Sequence, residues 1–146
     1  DGRVRVHYSQ LMLGAGNYEL RLKKSELEEL IQNLVEDGVM DFDQSDVKRE
    51  KEEKKRNRAI HTRTWGEEPE VTYVSDELVT LMEIRLISYR APGSAYITRK
   101  KHKKIRWRGL ANDSNKYSEI ARIQKLRAFE LKLKSVIAHN DLRKIR

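Results

Sequence analysis

Cysteine is absent from the 146-residue chain. Disulfide frameworks, thiolate zinc sites and cysteine nucleophiles are therefore excluded together, and a reducing, intracellular setting, cytoplasmic or nuclear/nucleoid, is expected. Long apolar runs are lacking as well. None approaches the roughly 20 residues that span a bilayer, and the first residues lack the apolar centre of a secretion signal, so a protein without a membrane span is expected. The chain opens at Asp1 rather than Met, as a piece of a longer protein would.

Catalytic patterns are equally scarce. His7, His61, His102 and His139 are far apart, and none forms an HExxH or comparable ligand spacing. No serine or threonine stands in a recognisable nucleophile setting, and Glu83-Ile-Arg lacks the lysine of a metal-dependent nuclease's acidic motif. Gly14-Ala15-Gly16 has neither the Lys-Ser/Thr of a phosphate loop nor the full dinucleotide spacing. Asp41, Asp43, Ser45 and Glu52 occupy positions 1, 3, 5 and 12 of a calcium loop, but Asp46 replaces the glycine that makes its sharp turn. No metal, cofactor or catalytic residue is expected.

What the chain has in abundance is charge, and its placement is uneven. Hydrophobic residues make up 38% and charged residues 37%, so part of the chain is expected not to pack. From Ala91 to Arg146 there are 16 Lys+Arg against 4 Asp+Glu, a net +12; residues 1–90 hold 15 against 19, a net −4. Solubility needs no such clustering, so the split points to a binding surface for a polyanion.

Local patterns predict an α+β domain spanning residues 1–146. Val4, Val6 and Tyr8, then Tyr18, Leu20 and Leu22, alternate with polar residues as two strands of an N-terminal β-hairpin. Leu27, Leu30, Ile31, Leu34 and Val35 form one face of an amphipathic helix, with Ser25 and Glu28 as a capping box and Gly38 as its left-handed stop. Residues 41–58 read as a charged linker or exposed helix. A short strand is expected at Ile60 to Gly66 and another at Val71 to Val74. Ser75 would then cap a helix with Val79, Met82, Leu86 and Tyr89 on one face, ending at Ala91-Pro92-Gly93; β-branched residues make a strand over Ile84 to Tyr89 its competitor.

The segment Tyr96 to Arg108 divides into two alternating strands around a tip at Lys100, Lys101, His102 and Lys103. Ile105 and Trp107 would share one face, and Lys104, Arg106 and Arg108 the other. Seven basic side chains between Arg99 and Arg108 suit a phosphate backbone, because each neutralised phosphate releases a condensed counterion. Trp107 either stacks on an unpaired base or faces the core with Ile105, and the pairing with Ile105 favours the core.

After a turn at Asn112 to Asn115, a long basic helix runs to about His139. Leu126, Phe129, Leu133, Val136 and Ile137 make its apolar stripe, with Ile120, Ile123 and Leu131 outside it. The helix at 75–90 followed by the hairpin at 96–108 permits a winged-helix-like arrangement.

The expected function is non-enzymatic binding of nucleic acid, DNA or RNA, through Arg99, Lys100, Lys101, Lys103, Lys104, Arg106, Trp107 and Arg108, with Arg122, Lys125 and Lys132 as a second basic surface. The alternative is an assembly or scaffold subunit, in which the acidic first helix and the long basic last helix dock on oppositely charged neighbours, an acidic protein partner for the basic helix or copies of the chain itself.

Overall fold

The architecture is α+β. In chain order the elements are β1 (Arg3–Tyr8), β2 (Gly16–Arg21), α1 (Lys24–Glu36), a 3₁₀ turn (Val39–Asp41), α2 (Gln44–Trp65), β3 (Val79–Tyr89), β4 (Thr98–Arg108), α3 (Leu110–Lys116), α4 (Ala121–Ala138) and β5 (Arg143–Ile145). The computed structural model describes residues 3–8, 16–65, 79–89, 95, 96, 98–139 and 142–145; at 3–8, 16, 61–65, 87–89, 98 and 99 it describes the backbone alone. No described helix is long and apolar enough to cross a membrane. The chain divides into two compact units, one of Asp1–Asp37 with Ala128–Arg146 and one of Gly38–Arg127.

In the first unit the alternating residues pair as a hairpin. β1 lies antiparallel to β2 with Val4 opposite Leu20 and Val6 opposite Tyr18. Gly14 and Ala15, expected in the turn, lie outside the described residues. β5 adds a third antiparallel strand, giving the order β1-β2-β5. Helix α1 follows from the apolar stripe, and Leu34 is buried. Its box closes two residues earlier than Ser25 and Glu28 would place it: the Lys23 amide donates to Glu26 Oε2 at 2.9 Å, leaving Ser25 inside the first turn. Gly38 takes φ 62°, the left-handed stop that a side chain would strain.

The second unit is built around a long two-stranded ribbon. β3 and β4 are antiparallel and pair one to one from Val79 opposite Arg108 to Tyr89 opposite Thr98. Two expectations are corrected by this pairing. Residues 79–89 are a strand rather than a helix: Met82, Ile84 and Leu86 satisfy a two-residue period as well as Met82, Leu86 and Tyr89 satisfy a helical one, and β-branched Val79, Thr80, Ile84 and Ile87 favour the strand. With no helix there, the helix-and-wing arrangement is absent.

The basic segment is not a hairpin of its own: Thr98–Arg108 is one continuous strand paired with β3, and the chain reverses between Tyr89 and Thr98 rather than at Lys100–Lys103. Pro92-Gly93 is the stronger turn signal, and the Lys-Lys-His-Lys run continues the strand. Within β4, Lys100 takes φ 57°, in the left-handed region.

Helix α2 covers 22 residues, about 33 Å. The charged segment from Gln44 onward is thus helical, and so is Ile60–Trp65, where a strand was expected. Extending an established helix adds a hydrogen bond per residue, and no described strand offers the alternating threonines a partner. The Asp46 amide donates to Asp43 Oδ1 at 3.0 Å, so Asp43 caps α2. The expected strand at Val71 to Val74 and the Ser75 cap lie outside the described residues.

The expected turn at Asn112 to Asn115 is helix α3. Gly109, at φ 69°, turns the chain from β4 into it. Gln124 Nε2 then donates to the carbonyls of Ser114 (2.6 Å) and Tyr117 (3.2 Å), closing the end of α3 and separating it from α4. Val39, Met40, Val47, Ile105, Trp107 and Leu110 are among the buried side chains of this unit, joined by Ile120, just before α4, and by Ile123 and Leu126 at its start. Burial of each large apolar side chain contributes about 1.5–3 kcal/mol.

Candidate nucleic-acid interface

The pleat of β4 sorts its cations onto two faces. Ile105 and Trp107 are buried, at 0% and 1% exposure, and half-buried Lys101 and Lys103 share their side of the strand. His102, Lys104, Arg106 and Arg108 point the other way and are exposed. The expected division into an Ile105–Trp107 face and a Lys104–Arg106–Arg108 face is therefore observed. The seven-residue cluster, however, is not a single surface.

Strand β3 supplies the other half of the exposed face, which the helical reading of residues 75–90 hid. In register order Val79 stands opposite Arg108, Leu81 opposite Arg106, Glu83 opposite Lys104 and Arg85 opposite His102. All four β3 residues are exposed. The period-two match was the available signal for them.

Electrostatically this face has two parts. At one end Glu83 Oε1 accepts from Arg85 Nη2 at 2.6 Å and lies 2.8 Å from His102 Nε2. Arg85, and secondarily His102, hold the Glu83 carboxyl below the usual glutamate range. At the other end stand Lys104, Arg106 and Arg108, and the ion pairs of this face among the described residues involve only Glu83, Arg85 and His102. Successive residues on one face of a strand are about 6.6 Å apart along it, so the three cations form a short positive rail.

Trp107 does not belong to that rail. Its ring packs edge-on against Phe42 with centroids 5.9 Å apart, and its Nε1 donates to Asp113 Oδ2 at 2.8 Å. No face remains for a base, which corrects its assignment as a contact residue.

The second basic surface is largely neutralised within the chain. Arg122 reaches Asp46 at 2.6 Å and Glu50 at 2.7 Å, and these carboxylates, Glu50 first, raise its pKa. Arg122 and then Arg49 keep Asp46 below the usual aspartate range. Lys132 pairs with Glu29 at 3.1 Å, joining α4 to α1 within the first unit. Of the secondary residues only Lys125 is simply exposed. Lys100 is exposed in the same strand as the rail, and the Arg99 side chain lies outside the described residues.

Among the described residues no group of three or more His, Cys, Asp and Glu side chains is placed to hold a metal ion. No family model, curated protein or solved structure matches this chain.

Proposed function

We propose that the protein binds nucleic acid without transforming it, through the exposed face of the β3–β4 ribbon. The observation that carries this reading is the rail of Lys104, Arg106 and Arg108 on one face of a strand whose other face is anchored by buried Ile105 and Trp107. A rigid base under the cations lowers the ordering cost of meeting a phosphate backbone, and counterion release supplies the driving force. Forked guanidinium donors on Arg106 and Arg108 suit phosphate oxygens bidentately. Several helix cations, Lys51, Arg58, Arg122 and Lys132 among them, are paired with carboxylates, whereas Lys104, Arg106 and Arg108 stand in a row on one strand face.

The test is a joint reversal, Lys104→Glu, Arg106→Glu and Arg108→Glu, measured by fluorescence anisotropy on the nuclease-treated protein with labelled oligonucleotides at low salt. Loss of binding with an unchanged melting temperature supports the proposal. Full affinity in the reversed variant refutes it.

A further inference from the structure

The exposed face of the ribbon is not purely cationic. Leu81 is 61% exposed and Val79 is 40% exposed, and they stand in register with Arg106 and Arg108. Scattered exposed aliphatic residues are ordinary on any surface. Here two lie on the same face of one strand, each paired with an arginine.

The backbone shows how close these pairs are. The Arg106 amide donates to Gln44 Oε1 on α2 at 2.9 Å, so it points away from β3. In an antiparallel ladder this marks Arg106–Leu81 as a non-hydrogen-bonded pair, whose Cα atoms approach to about 4.5 Å and whose side chains lie closer than in the alternate pairs. Val79–Arg108, two residues along, has the same geometry. The face therefore carries two parallel columns, aliphatic on β3 and cationic on β4, with steps of about 6.6 Å.

A duplex meets a flat surface with phosphates and sugars while its bases are stacked inside, so its backbone would cover the aliphatic column without an apolar partner. A single strand presents phosphates along one side and unstacked base faces along the other. We infer that the ribbon is built for single-stranded nucleic acid, with phosphates on Lys104, Arg106 and Arg108 and bases lying against Leu81 and Val79. Glu83, beside Lys104 and paired with Arg85 and His102, ends the cationic rail. The footprint is accordingly short, a few nucleotides.

This inference rests on the proposed nucleic-acid binding, and the experiment separates the two. A fluorescein-labelled mixed-sequence oligonucleotide, as DNA and as RNA, is titrated with the full chain as a single strand and as a duplex. Leu81→Ser and Val79→Thr are titrated in parallel, after their melting temperatures have been matched to the parent. The expected result is at least about a fivefold preference for the single strand, from apolar contact with bases. Leu81→Ser reduces that preference severalfold, and Val79→Thr acts in the same direction. Equal or tighter duplex binding, or single-strand affinity indifferent to both substitutions, overturns the single-strand assignment and leaves nucleic-acid binding standing. Absence of binding to every probe at low salt removes both.

Discussion

Two sets of cations in this chain meet different fates. Lys51 of α2 pairs with Asp113 Oδ2 at 2.9 Å, its ammonium 5.9 Å from the ring centroids of both Trp107 and Tyr117. Arg58 lies 4.7 Å from the Tyr117 centroid, and Arg122 bridges two carboxylates. On the ribbon, Lys104, Arg106 and Arg108 face outward from a strand with an apolar back. The first set is paired within the fold, and the second lies in no ion pair among the described residues. Net charge alone does not distinguish them: a positive excess becomes a binding surface only where its carboxylates are elsewhere.

The sharpest way to break this comparison is at Asp113, which is 7% exposed and accepts from both Lys51 and the Trp107 indole. Asp113→Ala leaves a half-buried ammonium and a buried N–H without their acceptor. The expected loss is about 2–4 kcal/mol of unfolding free energy, read from urea denaturation, with ribbon-dependent binding retained at temperatures where the variant is folded. Tyr117, whose hydroxyl pKa burial raises, reports on the same region through its ultraviolet titration. In the intact protein its titration should begin at higher pH than that of exposed tyrosines.

Reversal of Lys104, Arg106 and Arg108 should do the opposite. Binding falls by orders of magnitude, while stability changes by no more than about 0.5 kcal/mol per exposed site.

Acid separates the sets in a third way. The folded pKa of Asp46 is depressed by Arg122 and Arg49, so its contribution is complete above the unfolded value near pH 4 and is lost as pH falls through the depressed folded value. Thermal melts should show stability declining below about pH 4, and Arg122→Ala should flatten part of that decline. Glu83 shifts in the same direction for the same kind of reason, its partners being Arg85 and His102.

The smallest expected effect is at Glu83 itself. Glu83→Gln removes the charge that engages Arg85 and His102, extending the rail. Affinity should rise a few fold and the salt dependence should steepen by about one phosphate contact. Unchanged affinity would show that the paired end of the ribbon lies outside the footprint.

Much of this was legible in the residues. The alternation of Ile105 and Trp107 with Lys104, Arg106 and Arg108 is a statement about pleat that needs no tertiary information, and the stripe of α1 with its Gly38 stop is equally local. The β3 half of the face was not legible, because Val79–Tyr89 fits both periods and only its pairing with β4 decides between them. The burial of Trp107 was anticipated from Ile105, but its acceptor was not: Asp113 sat in what read as a polar turn, and nothing local marks it as the partner of Lys51, 62 residues away. Likewise Arg122 and Lys132 look like free cations until the chain brings Asp46, Glu50 and Glu29 to them.

If the outward cations of β4 engage phosphates, binding must depend steeply on salt. Association constants of the parent protein for a labelled single strand, measured across a salt series, should fall linearly on logarithmic axes. Three phosphate contacts give a slope of about −2, and Arg106→Ala should lower its magnitude by about 0.7. Affinity that does not change with salt, or no detectable binding at the lowest salt, would contradict the account.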